Sequence, residues 1–514
     1  MPSKVVIPVN GNMSSRRVSV QKVDSILSNR VKGNDEQYLV RWTAPSASTN
    51  PPLSWHSIHE LARCLEHVQD YLESRQKSLK TLPAHVQTSK KRKSPDSEPE
   101  FDRGTSRVVD RRLEETGRTS MSRSPSVSST SPVGPIDVYN GVLETDSNGF
   151  VFCRSELGPE IAQIKIEHVP TPEMLRAQRS KVDHADILIR AEYSRRLHVV
   201  PGEKIHLVNI YDSATPSLRF RYIADYVLGD GVFKADLDTQ EGCQKCSPHM
   251  GRDIGCEYTK RCGCLEYAAV NEAAITEPEM RSEYDKAKAT GGSLVNFPKR
   301  FPYYAEGTKR QRAGTLVPFY LDSRRPIYEC NDKCRCGPLC RNKNVQFGRS
   351  VQVEIFKTGS GRGWGLRCKQ PLYQGQFIDT YRGEIITDTE ASRREAAADS
   401  KTKASYLYSL DKFAESEGID DADIYVVDGE FMGGPTKFMN HCCEPNCRQY
   451  TVSYNKHDPR VYDIAFFACR DIPAGEELTF DYLDKEEGEE IDDPGQDAIP
   501  CLCGAAKCRK WLWT

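Results

Sequence analysis

Nine cysteines fall in two tight groups, and no other feature of this 514-residue sequence narrows the fold as far. The first group reads Cys243-x2-Cys246-x9-Cys256-x5-Cys262-x-Cys264, and the second Cys330-x3-Cys334-x-Cys336-x3-Cys340. A separate trio, Cys501-x-Cys503-x4-Cys508, lies near the C-terminal end. Structural zinc takes four ligands in a tetrahedron, and thiolate is among its preferred ones. Nine cysteines cannot fill whole four-cysteine sites without a remainder. They serve three zincs if three thiolates bridge, because six terminal ligands and three counted twice make twelve. The trio needs a fourth ligand from elsewhere in the chain. Loops this short hold little apolar core, so metal binding supplies their folding energy. Cys64, Cys153, Cys368, Cys447 and Cys469 stand apart and read as small buried hydrophobes.

Composition excludes several classes. The apolar fraction is 38 %, below the ~45–50 % of a globular chain, so part of the chain is expected outside any core. The 71 basic residues are balanced by 73 acidic ones, which excludes a uniformly basic nucleic-acid coat. No apolar run approaches the ~18–20 residues that span a bilayer, so no membrane partner is expected. The N-terminal residues lack the charged-then-apolar order of a secretory signal. An intracellular chain keeps its thiols reduced, which again leaves metal rather than disulfides to explain 19 cysteines.

Residues 18–76 read as a small α+β module. Apolar pairs between Val23 and Trp42 flank a polar turn, Lys32-Gly33-Asn34-Asp35, and predict a hairpin. Ser57-Ile58-His59-Glu60 is a capping-box pattern that predicts a helix with Ile58, Leu61, Leu65, Val68 and Leu72 on one face. Residues 77–135 are rich in Ser, Arg, Lys and Pro and read as a disordered basic linker. Within it, Lys90-Lys91-Arg92-Lys93 is a nuclear-import signal, a phosphate-contacting patch or plain solvated linker. Residues 136–242 regain periodicity, with a helix expected over 172–197, and read as an extension packing on a cysteine module, 243–345. Residues 346–483 form the catalytic region, 484–498 an acidic loop, and 499–514 the terminal cysteine hook.

Three short motifs lie in 346–483. They are Gly363-Trp364-Gly365, Asn440-His441-Cys442-Cys443-Glu444-Pro445-Asn446, and Glu476-Glu477-Leu478-Thr479-Phe480-Asp481-Tyr482. Each alone reads as a turn or a strand end; their order between cysteine groups is specific. Together they resemble the SET-domain protein-lysine methyltransferases with pre-SET and post-SET zinc modules. Within these they resemble the suppressor-of-variegation class, which methylates lysine 9 of histone H3, as in the fungal enzymes. The resemblance spans about 205–514 strongly, and 18–76 resembles a chromodomain more weakly.

The resemblance implies a mostly β fold with short helices, made of small curved sheets around a threaded crossing. It implies S-adenosylmethionine as methyl donor, about four structural zincs, and methylation of the histone H3 tail, up to trimethyl-lysine. Nucleosomes are the implied partner, and heterochromatin on the chromosome in the nucleus the implied place. Gly363, Trp364 and Gly365 match the cofactor turn, and Lys437, Asn440 and His441 the cofactor contacts at the crossing. Tyr406 and Tyr482 match the channel tyrosines, Phe480 the residue that sets how many methyl groups fit, and Trp511 the aromatic covering the cofactor. Cys443 matches the fourth ligand of the terminal trio.

Departures from the family pattern are specific. Cys243-x2-Cys246 replaces a C-x-C pair, Lys437 stands where fungal relatives carry Arg, and Cys442 where Ser is usual. In the chromodomain-like module Trp42 fits one wall of a methyl-lysine cage, but the other walls fall near Gln21 and Pro45, neither aromatic. Competing readings are a non-catalytic zinc-stabilised chromatin scaffold, a methyltransferase for another lysine, and a DNA-binding zinc protein. The intact motifs weigh against the first. The last would need histidine ligands beside basic recognition helices, which are absent.

Overall fold

The computed structural model describes residues 23–43, 53–81, 143–145, 150–153, 162–165, 170, 182–246, 256, 263–305, 313–397, 406–483 and 499–513. The linker from 82 to 135 with Lys90–Lys93, the acidic loop 484–498, Cys262, Gln21, Pro45 and the first part of the helix expected at 172–197 lie outside these residues. The chain divides into two units, Met1–Lys181 and Val182–Thr514.

In the first unit, β1 (Val23–Lys32) and β2 (Asp35–Trp42) form the expected hairpin, with Lys32 opposite Asp35. Gly33 sits at φ +63°, where a Cβ would be penalised. Strand β3 (Leu53–Ser57) pairs with the other edge of β2, and α1 (Leu65–Thr81) follows. The helix starts later than its capping pattern predicts. The Ser57 amide does donate to Glu60 Oε2 at 3.2 Å, and the His59 amide to Ser57 Oγ at 3.3 Å. However, those bonds close successive turns, in which the amides of Leu61 and Cys64 bond the carbonyls of Ser57 and Leu61. Ile58 and Leu61 are buried from that turn, Leu65 and Val68 from the helix, with Tyr38, Leu39 and Val40 beneath them. Three further short strands, β4 (Leu143–Thr145), β5 (Phe150–Cys153) and β6 (Ala162–Lys165), form an antiparallel sheet.

The second unit opens with α2 (Asp183–His198), whose Ala185, Ile189, Tyr193 and Leu197 are buried at four-residue spacing. Strands β7 (Ile205–Val208), β8 (Arg221–Tyr222) and β9 (Val227–Leu228) come next, then α3 (Pro278–Thr290), α4 (Pro318–Ser323) and β10 (Ile327–Glu329). The catalytic region supplies β11 (Val353–Lys357), β12 (Trp364–Cys368), β13 (Phe377–Tyr381), β14 (Glu384–Thr387) and α5 (Asp388–Ala397). It continues with β15 (Leu407–Ser409), β16 (Tyr425–Asp428), β17 (Met432–Gly433), β18 (Asn440–His441), β19 (Cys447–Tyr454), β20 (Asp463–Ala468) and β21 (Glu477–Phe480). A terminal pair, β22 (Ile499–Pro500) and β23 (Trp511–Trp513), closes the chain of elements.

These strands make small separate sheets, ordered β18-β21-β12-β11-β7, β10-β19-β20-β13 and β15-β16-β14-β9. The boundary between the two units falls inside the expected extension 136–242, and only its part from Val182 onward belongs to this unit; there Asn331 Nδ2 donates to the Glu241 carbonyl at 2.7 Å and Lys333 Nζ to that of Leu237 at 2.6 Å. That part also does something the sequence did not suggest, adding a parallel edge strand to three catalytic strands: β7 to β11, β8 to β17 and β9 to β14. Rings and aliphatic chains fill the core between α4, β10 and β19-β20-β13, among them Tyr303, Tyr320, Ile327, Phe377, Tyr450, Val452 and Phe467. Beside it the buried Glu329 carboxylate accepts from the Tyr303 hydroxyl (2.6 Å) and from the Val345 (2.8 Å) and Asn344 (3.0 Å) amides. No helix among the described residues is long and apolar enough to cross a membrane.

Candidate functional site

The cysteines converge. Cys246, Cys256, Cys264 and Cys336 place their sulfurs within 4.8 Å of one another, and so do Cys256, Cys330, Cys336 and Cys340, and Cys264, Cys330 and Cys334. Four thiols, those of Cys256, Cys264, Cys330 and Cys336, thus belong to two groups each. Two thiolates on one tetrahedral zinc lie about 3.8 Å apart. The sulfur of Cys256 is 3.5 Å from those of Cys330 and Cys340 and 3.7 Å from that of Cys246. Cys243 packs against the cluster, its sulfur accepting the Gly263 amide at 3.2 Å. At the other end Cys443, Cys501, Cys503 and Cys508 form a fourth group. Cys442 lies beside this group, its thiol donating to the Glu444 carbonyl at 3.3 Å and also interacting with Cys503. The donor sets are all sulfur, which suits zinc.

The second centre is built where two distant strands meet. β18 runs parallel to β21, Asn440 beside Thr479 and His441 beside Phe480. Asn446 secures the meeting: its amide nitrogen donates to Glu476 Oε1 and the Glu477 carbonyl, both at 2.8 Å, and its oxygen accepts the Thr479 amide at 2.9 Å. Asn440 Nδ2 donates to the Trp364 carbonyl at 3.0 Å and to Glu477 Oε1 at 2.8 Å. The other Glu477 oxygen takes Arg362 Nη2 at 2.5 Å. Gly363 sits at φ +77° with open space where a Cβ would be. At Gly365 a Cβ would lie 2.9 Å from both Glu477 Oε1 and the Phe356 ring. Hence the turn that leads into β12 presents bare backbone at Gly363, whereas at Gly365 the missing Cβ makes room for Glu477 and Phe356.

The tyrosines cluster at the same crossing. The Tyr482 hydroxyl donates to the Met439 carbonyl at 2.8 Å, and its amide donates to His441 Nδ1 at 3.2 Å. Phe480 packs between Phe466 and Tyr482, each ring 4.8 Å away. Burial holds the His441 imidazole down at about 4 against the pull of Asp481, so the ring is neutral and Nδ1 is free to accept. Burial pushes the Tyr482 and Tyr406 phenols up, so both stay protonated. Lys437 extends its amine to the Glu430 carbonyl, between the rings of Phe220 (4.3 Å) and Tyr406 (4.7 Å). Burial lowers this amine to about 8. Trp511 is partly buried opposite Pro500 in the terminal pair.

Sequence reasoning missed three contributors. Tyr381 at the end of β13 is buried next to Tyr482 and Tyr406, and its hydroxyl donates to the Tyr406 carbonyl at 2.9 Å. Gly429 is required beside it, since a Cβ there would meet that hydroxyl at 2.4 Å. Glu477 is the second, the shared anchor of Asn440 and Arg362. Third is the fork of Arg509 on Asp481, at 2.5 and 2.7 Å, which ties the terminal cysteine hook to the crossing. The only signal for Tyr381 is an aromatic closing a short apolar run; nothing in spacing marks the other two.

Comparison with known proteins places these features in a family. The SET domain model matches residues 363–483, and the Pre-SET motif model residues 199–343. The H3 lysine-9 specific histone-lysine N-methyltransferase KMT1 of Fusarium mangiferae is 40% identical over 317 residues, which cover 60% of this chain and 88% of that one. The H3 lysine-9 specific enzyme dim-5 of Neurospora crassa is 39% identical over 317 residues, again 60% of this chain and 88% of the relative. The solved structure of the Neurospora SET domain protein DIM-5 is 35% identical and aligns with a TM-score of 0.45 over 57% of this chain and 98% of that one. With both motif models matched and most of the length of two such relatives spanned, the chain belongs to the SET-domain histone-lysine N-methyltransferases of the H3 lysine-9 specific group.

Proposed function

We propose that the chain methylates lysine 9 of the histone H3 tail, up to trimethyl-lysine, on nucleosomes in heterochromatin. The observation that carries this reading is the convergence of Tyr381, Tyr406, Phe480 and Tyr482 beside the β18–β21 crossing. S-adenosylmethionine, when bound, supplies a methyl group already activated on a sulfonium, so the protein's task is alignment. The bare backbone at Gly363 would take that ligand, with Trp364, Gly365 and Asn440 beside it, the small Gly365 leaving room for Glu477 and Phe356. Lys437 and His441 would flank the ligand and Trp511 would cover it.

The aromatic residues act on the amine. A free lysine ammonium has a pKa near 10.4 and must lose its proton to attack. Buried rings disfavour the charged form by desolvation. The Tyr482 hydroxyl spends its proton on the Met439 carbonyl, which leaves its oxygen to accept from the amine and hold the lone pair in line. Tyr381, whose proton goes to the Tyr406 carbonyl, would serve the amine in the same way. Phe480 has no hydroxyl to restrain a methylated amine, which supports repeated transfer. The cysteine groups, with Cys243 and Cys262 completing the pre-SET set, would hold about four zincs with a structural role. Residues 18–76 would contact a methylated histone tail through Trp42, with an incomplete cage.

The deciding experiment incubates the full chain with labelled S-adenosylmethionine and either intact histone H3 or H3 carrying a lysine-9 substitution. Label is expected on the first only, and Tyr482→Phe should lower it by two orders of magnitude. Equal labelling of both histones would sink the lysine-9 assignment.

A further inference from the structure

Away from the crossing, the cysteine module carries a cleft of about 600 Å³ whose walls, among the described residues, include Lys299, Arg300 and Arg341 and no acidic residue. Its two arginines are mounted on aromatic faces. The Arg300 guanidinium lies 4.4 Å over the Phe319 ring, and that of Arg341 3.8 Å over Phe301. Arg300 is fixed at both backbone ends, its amide bonded to the Ala269 carbonyl at 2.8 Å and its carbonyl to the Tyr320 hydroxyl at 3.2 Å. Its buried Nε has no hydrogen-bond partner, and the residue forms no ion pair among the described residues. The Lys299 ammonium is anchored by the carbonyls of Glu266 (2.9 Å) and Ala268 (3.2 Å).

A chain of net charge −2 has no general attraction for polyanions. Three cations in one cleft therefore form a focused field. Guanidinium groups held flat on rings are pre-organised forks that match phosphate oxygens in pairs. Clustered arginine and lysine cations that meet phosphates supply most of the affinity with which proteins hold duplex DNA. We infer that this cleft is a docking site for the phosphate backbone of duplex DNA. The choice of DNA over an acidic peptide rests on the histone substrate proposed above, which is presented to the enzyme on DNA. Backbone phosphates carry no sequence information, so the contact would position the enzyme without selecting a sequence.

The test measures binding of the full chain to a random-sequence DNA duplex by fluorescence anisotropy between 50 and 200 mM salt. Each phosphate contact contributes about 0.9 to the slope of log affinity against log salt. Arg300→Gln is expected to flatten the slope by about one, and Arg300→Gln with Arg341→Gln by about two. Arg300→Lys, which keeps the charge, should hold the wild-type slope. Zinc content and methylation of an H3 tail peptide should not change, while methylation of nucleosomes falls several-fold. The linker cations of Lys90–Lys93 are common to all these proteins and cancel in the comparison. An unchanged slope in Arg300→Gln would overturn the inference, and so would a loss of binding confined to a phosphoserine peptide. Failure of lysine-9 labelling with the slope change intact would strike only the function proposed above.

Discussion

Around Cys256 the buried neighbours are sulfurs, those of Cys246, Cys330 and Cys340. Around Phe467 they are rings: Phe377 and Tyr450 at 5.5 Å, with Tyr303 stacked at 6.4 Å. The two regions adjoin in one unit, and both are dry, yet they are held by different means. The ring core is stable because apolar area leaves water on folding. The thiol cluster has almost no such area, and without a cation its deprotonated sulfurs would repel. Conformational order in the cysteine module is thus conditional on metal, whereas order in the sheets is intrinsic to the sequence. The catalytic crossing joins both kinds of order, tied to the sheets by Asn446 and to the terminal cysteine hook, a separate thiol group, by Arg509 on Asp481.

Removing the metal should break the comparison most completely. Chelation is expected to abolish methyl transfer and unfold both cysteine modules, since structural zinc supplies on the order of 10 kcal/mol to domains of this kind. Elemental analysis should give about four zincs per chain; one or none would refute thiolate sharing. Next in size is Phe467→Ala, which empties the ring core. A loss of about 3–5 kcal/mol in urea unfolding is expected, with zinc content unchanged in the folded fraction. If zinc leaves the folded protein as well, the two regions are not independent.

A smaller effect concerns product. Phe480→Tyr puts a hydroxyl beside Tyr482, and one added hydrogen bond is worth about 1 kcal/mol. Mass spectrometry of an H3 tail peptide should show trimethyl product from the natural chain and mainly mono- and dimethyl product from the variant. A natural chain that stalls at monomethyl would remove this role for Phe480. Smallest is Lys437. Its folded pKa of about 8 lies below the ordinary 10.5, so the unfolded chain binds more protons between these values and stability rises with pH across that window. Glu430 and Asp428 face the amine and pull the other way, which keeps the effect modest. Lys437→Arg stays charged throughout and should flatten the rise; a urea midpoint that climbs equally in both would show that Lys437 is not the source.

Much of this was legible before any coordinate. The number of clustered cysteines implied shared thiolates, and the resemblance to the SET family carried by the motifs implied the crossing. Two kinds of feature were not. Boundaries set by competing local bonds were hidden, as at Ser57, where capping contacts close a turn and the helix waits until Leu65. Partners that meet only through the fold were hidden too. Tyr381 reaches the Tyr406 carbonyl, Arg349 reaches Asp379 at 2.9 Å, and β7 joins β11 across a long stretch of chain. No local pattern encodes such pairings. Lys437 was visible as a departure from Arg, but its desolvation between two rings was not.

The crossing also has a place in time. Asn440 follows Trp364 by 76 positions in the chain, and Glu477 follows Asn440 by 37. Synthesis proceeds at about 5–20 residues per second, so Trp364 waits on the order of 10 s for the last of these partners. Until then the turn at Gly363 is closed only by Thr358, whose amide and hydroxyl donate to the Gly363 carbonyl, and Arg509 must still arrive to pin Asp481. A nascent chain at this stage is a folded sheet bearing half a site. The enzyme is therefore silent for most of its own birth, and a ribosome stalled between Asn440 and Glu477 would display an inert protein whose fourth cysteine group is still incomplete.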